Sequence, residues 1–105
     1  MNPRADVTRW DELALERVTE MVARKAVPGD EIGLTQVYLK KGALVPLHTH
    51  AREQMIYVLQ GVLRYTVTGA DVTLREGEVL RIPAAAAHQA EAMDDTFVLV
   101  VSARA

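Results

Sequence analysis

The stretch GALVPLHTHAREQMIYVLQG, residues 42–61, decides the fold. Two runs rich in Leu, Val, Ile and Tyr are separated by a short polar corner and bounded by glycine at each end, the pattern of two β-strands joined by a turn. On a strand, residues two apart share a face, so His48 and His50 would present their imidazoles to one point. The chain has only three histidines. The third, His88, follows a further strand-like segment, REGEVLRIPAAAAH, residues 75–88.

Outward from this stretch the same punctuation recurs. Segments of five to ten residues lie between PGD (28–30), KKG (40–42), Gly61, TGAD (68–71), REGE (75–78) and Pro83, as in an antiparallel all-β sandwich or barrel. Strands are expected at about 31–40, 44–50, 54–60, 62–68, 72–75, 79–82, 87–92 and 96–102. Before them, WDELALERV carries Trp10, Ala14 and Val18 at helical spacing, which predicts a short helix or turn at about 11–16. TEMVARKAV then reads as one strand entering the PGD turn. MIYVLQ and TFVLVV are apolar on both faces, so both should be covered twice, from within the barrel and from outside. A second subunit is the simplest outer cover, and a homodimer is expected.

The 105 residues, half hydrophobic and a quarter charged, suit a single domain over 1–105. A net charge of -2 and a pI near 5.9 leave no basic footprint for nucleic acid or an anionic membrane. The expected partner is a small molecule or another copy of the chain. Cysteine is absent, so any metal must be held by nitrogen and oxygen. The start, MNPRADVTRWDELALE, lacks a signal-peptide hydrophobic segment, and no apolar run approaches a membrane span; the expected location is the cytoplasm.

Imidazole is the commonest protein ligand for divalent transition metals, and a stable centre needs further donors from neighbouring strands. Gln54 offers an amide oxygen after the corner, and His88 another imidazole. Glu53 competes with Gln54 and has the charge, but strand alternation lets only one of the two face inward.

These residues carry a family resemblance. G-ALVPL-HTH-ARE-Q-MIYVLQ-G, Gly42 to Gly61, resembles the first cupin motif, with Gln54 where most members have glutamate. G-EVLRI-P-A-A-AA-H, Gly77 to His88, resembles the second, with Ala85 in place of the inner glycine and Ala92 in place of an asparagine. The resemblance implies an all-β fold, a small antiparallel β-barrel or jelly roll, RmlC-like, whose mouth holds one divalent metal on His48, His50, Gln54 and His88. It settles the choice for Gln54 and leaves Glu53 as an outer partner or a solvent-facing charge. Such a set, three neutral imidazoles and a neutral amide, leaves the ion's charge uncompensated and favours an anionic or enolisable substrate. It is compatible with iron, manganese, nickel, cobalt, copper or zinc.

Among small cupins the chain is most similar to the pectin-degradation proteins that open unsaturated uronate rings. Their functional aspartate on the last strand has no match here, because Val100 stands in its place, and no catalytic acid or base is identified. An oxygen-dependent, dioxygenase-like metalloenzyme and a non-catalytic binding or sensing module are the alternatives. Tyr38, Tyr57 and Tyr65 read as packing residues, with a phenol turned into the cavity as the alternative. Arg52, Arg64, Arg75 and Arg81 read as solvated, with Arg81 the favoured carboxylate clamp should one turn inward. Trp10 is expected to staple the N-terminal segment onto the barrel.

Overall fold

Alternation of apolar and polar residues between glycine and proline turns produces ten strands in the computed structural model, which describes residues 3–104. They are β1 (Glu16–Thr19), β2 (Val22–Pro28), β3 (Ile32–Leu39), β4 (Leu44–His48), β5 (Gln54–Gln60), β6 (Val62–Val67), β7 (Ala70–Arg75), β8 (Val79–Ile82), β9 (His88–Ala92) and β10 (Thr96–Ala103). Two antiparallel sheets form, ordered β1-β2-β3-β10-β5-β8 and β4-β9-β6-β7. The eight strands expected from residue 31 onward are present with ends shifted by a few residues. Residues 1, 2 and 105, part of the single expected domain over 1–105, lie outside the described residues.

The N-terminal region differs from the expectation. Only Trp10–Glu12 forms a 3-10 turn, and Leu13 is already extended. A helix here would have to nucleate alone, whereas extension lets Glu16–Thr19 pair with β2. The single strand expected from TEMVARKAV is therefore a hairpin, turning at Glu20 and Met21. Lys25 Nζ donates to Trp10 O at 2.9 Å, which ties the 3-10 turn to β2.

The interior is aliphatic. Ile56, Leu63, Ile82, Val58 and Val98 are its largest fully buried side chains, and each contributes about 1.5–3 kcal/mol by leaving water. β5 shows the two-faced pattern directly: Ile56 and Val58 point inward, while Met55 and Tyr57 remain 41% and 39% exposed on the outer face. Tyr38 and Phe97 stack on that outer face with ring centroids 4.5 Å apart. Gly61 makes the turn from β5 to β6 at φ +97°, where a Cβ would collide with Asp95 O and Thr96 Oγ1. No helix is long and apolar enough to cross a membrane.

Candidate metal centre

The centre is assembled by one pair of strands and the corner beside them. β4 and β9 run antiparallel with His48 directly opposite His88. β4 ends at His48, so His50 lies just past the strand rather than on it, yet its ring meets the other two. His48 Nε2 and His50 Nε2 are 2.9 Å apart, and His48 and His88 have ring centroids 4.2 Å apart. One nitrogen from each of the three histidines lies within 4.8 Å of the others.

Hydrogen bonds fix which nitrogen two of the three rings offer. His48 Nδ1 is 2.7 Å from Pro46 O, and His88 Nδ1 is 2.9 Å from Ala86 O. A carbonyl can only accept, so Nδ1 carries the proton in both rings and Nε2 keeps its lone pair. Such second contacts fix the tautomer of metal-binding histidines in general. His48 Nε2, its lone pair free, lies 2.9 Å from His50 Nε2, an approach that needs a proton or a cation between the two nitrogens, so the donor set fits a metal ion. His88 is only 2% exposed. Burial, together with the neighbouring His48 and His88, holds the His50 imidazole below its ordinary pKa, which favours the neutral, ligating form.

Gln54, the first residue of β5, lines the same cavity, about 340 Å³ in volume. Its Nε2 donates to Ser102 Oγ at 2.9 Å, which leaves the amide oxygen as the free end. Glu53 faces the other way and accepts from Arg81 Nη1 at 3.1 Å on the exposed surface. Arg81 is therefore solvated, as expected, and does not turn inward as a clamp. Arg64 is likewise external, paired with Asp71 at 2.9 Å.

The remaining walls are largely hydrocarbon: Val37, Val98, Val100, Ile56 and Leu63 line the cavity. Val100 therefore faces it from the last strand, and no Asp or Glu does so among the described residues. Tyr65 is the tyrosine that reaches the cavity, while Tyr38 and Tyr57 are exposed. Burial pushes the Tyr65 phenol up to about 12, so it stays protonated. Sequence reasoning missed two residues, Arg24 on β2 and Ser102 on β10, both in the cavity wall. The alternation Val22, Arg24, Ala26 could have shown Arg24, had β2 been recognised as one arm of a hairpin.

The turn that delivers His88 keeps its shape without glycine. Ala85 has φ 63°, the left-handed conformation that costs an alanine about 1–2 kcal/mol. Its N–H donates to His50 O at 2.8 Å, which joins the two histidine-bearing segments.

Comparison with known proteins agrees with this architecture. KdgF from Halomonas sp. is 25% identical over 97% of this chain and 96% of its own, with a TM-score of 0.88. An RmlC-like cupin from Shewanella frigidimarina superimposes at a TM-score of 0.89 with 20% identity, over 100% of this chain and 96% of its own. Oxalate decarboxylase from Bacillus subtilis matches at a TM-score of 0.82 and 17% identity, over 95% of this chain and 30% of its own; at that identity the likeness speaks for the fold. No curated protein is significantly similar in sequence. Residues 35–103 match the cupin domain family, and with two facing antiparallel sheets and three histidines converging between them, the chain belongs to the cupins.

Proposed function

We propose that this cupin is a metal-dependent enzyme acting on a small oxygenated substrate, with uronate ring opening the closest chemistry. The observation that carries the reading is the convergence of His48, His50 and His88 beside Gln54 in one hydrocarbon-walled cavity. Their imidazole nitrogens and the Gln54 amide oxygen would hold the ion. A divalent transition metal there supplies Lewis acidity toward a hydroxyl, carbonyl or carboxylate oxygen of the substrate.

The protein's own groups have definite tasks. The carbonyls of Pro46 and Ala86 hold two imidazoles in the ligating tautomer. Ser102 orients the amide of Gln54. Val37, Val98, Val100 and Ile56 exclude water, which strengthens electrostatic interactions inside. Tyr65, protonated at any working pH, donates a hydrogen bond to an oxygen that gains negative charge as the ring opens.

The absence of a carboxylate from the described cavity wall favours a second reading, a module that binds a small acid without turning it over. Metal-loaded protein mixed with a 4,5-unsaturated galacturonate separates the two. Loss of the conjugated ultraviolet absorbance, abolished in Tyr65→Phe or after metal removal, supports the enzyme. Unchanged absorbance overturns it. The exposed outer face carrying Tyr38, Tyr57 and Met55 supports the proposal of a homodimer, which sedimentation would test.

A further inference from the structure

β2 places one unassigned residue where it can select substrates. Val22 and Arg24 share one face of β2, alternating with Ala23 and Lys25, and Arg24, exposed at the rim, lies opposite Val37 in register. Arg24 and Val37 both line the cavity that contains the three histidines. Among the described residues of that wall, Arg24 is the one permanently charged side chain.

Its planar fork is already shaped around a carboxylate. Glu16, the direct cross-strand partner on β1, receives both bonds, Nε to Oε2 at 3.0 Å and Nη2 to Oε1 at 3.1 Å. The side chains are 47% and 60% exposed, and an ion pair so open to water adds little to stability. β1 is an edge strand bonded only to β2, with all four residues exposed. Glu16 can therefore leave the fork without disturbing the core and recover full hydration outside.

We propose that Arg24 is the specificity residue that takes the carboxylate of an acidic substrate in the histidine cavity, and that Glu16 is the internal competitor this carboxylate replaces. The exchange is neutral in charge, because one carboxylate leaves the guanidinium as another arrives. A fork of parallel N–H donors matches a carboxylate bidentately, which a lysine cannot reproduce. The inference rests on reading the cavity as a substrate site, and it names the substrate class as carboxylates.

The test is calorimetric titration of the metal-loaded full chain with D-galacturonate and with its uncharged methyl ester. Arg24→Gln should weaken galacturonate binding by about tenfold or more, Arg24→Lys should restore it in part, and Glu16→Gln should tighten it several-fold. The ester should bind wild type and Arg24→Gln alike. Metal content and circular dichroism report whether Arg24→Gln is folded, and Glu16→Gln, altered only on an exposed edge, tests the competition independently. Galacturonate affinity unchanged in both variants, or no binding to wild type, overturns the inference. The unsaturated-uronate assay separates it from the enzyme reading. Turnover with kcat and KM unchanged in Arg24→Gln would overturn the role of Arg24 alone, whereas Arg24-dependent binding without turnover supports that role and overturns the enzyme.

Discussion

His48 and His88 face each other across β4 and β9, opposite in register, with ring centroids 4.2 Å apart and planes inclined at 57°. Two imidazoles from separate strands thus meet without help from any loop, and His50 closes on them from the corner after β4. Removing either strand-borne ring should break the cluster and spare the fold, because the core rests on Ile56, Val58, Leu63, Ile82 and Val98. His48→Ala and His88→Ala are expected to lose bound metal while keeping wild-type circular dichroism. Full metal occupancy in both, measured by mass spectrometry, would refute the ligand assignment.

Gln54→Glu should hold the metal more tightly. A carboxylate cancels part of the ion's charge, and the Ser102 hydroxyl can turn from acceptor to donor and still orient the side chain. Competition with a chelator should show about a tenfold gain in retention, the scale on which ligand-shell changes act. A weaker site in Gln54→Glu would mean that position 54 does not face the ion.

Acid should weaken the metal-free protein through His50. Its imidazole pKa lies below the ordinary 6.5, with burial the largest cause and the charges of His48 and His88 next. Near neutral pH and above, folded and unfolded forms are both unprotonated there, and this group contributes no pH dependence. As the pH falls through 6.5, the unfolded chain takes up a proton that the folded one resists, and stability declines until the lower folded pKa is passed. Melting temperatures of chelator-treated protein should fall over that window, and the fall should be shallower in His50→Gln.

Much of this arrangement is legible in the sequence because glycine or proline marks every turn from Gly29 to Pro83 except the polar corner between β4 and β5, and alternation within each run reports its inward face. His48, His50 and His88 converge, and Gln54 lines the same cavity. The N-terminal hairpin is not legible, since its turn at Glu20 and Met21 carries neither glycine, proline nor asparagine and is held in part by Met21 N–H donating to Thr19 Oγ1 at 3.1 Å. Without the hairpin the cavity-lining position of Arg24 has no sequence signal, whereas Arg81 is held outside by Glu53. Ser102 was hidden for another reason: its bond to Gln54 depends on the register of β10 against β5, a pairing between residues 48 positions apart.

Ala85→Gly should stabilise the fold. Glycine relieves the left-handed strain at φ 63° and loses more backbone freedom on folding, for a net gain of up to about 1 kcal/mol. Denaturant titration should show a higher midpoint with an unchanged slope.

Ile56→Ala should act at the opposite extreme. The side chain is 1% exposed at the centre of the interior, and its truncation should cost about 2–5 kcal/mol. A loss of less than about 1 kcal/mol in the same titration would show that the surrounding core collapses to fill the space.

His48 and His88 belong to the four-stranded sheet and Gln54 to the six-stranded one. An ion bound by all of them would therefore act as a clasp between the two layers. Any breathing that parts the layers would detach the amide before the imidazoles, so the lifetime of the bound ion would be timed by the elasticity of the sandwich. Substitutions far from the histidines, wherever they slacken the grip of one layer on the other, would then speed the ion's escape without touching a single donor.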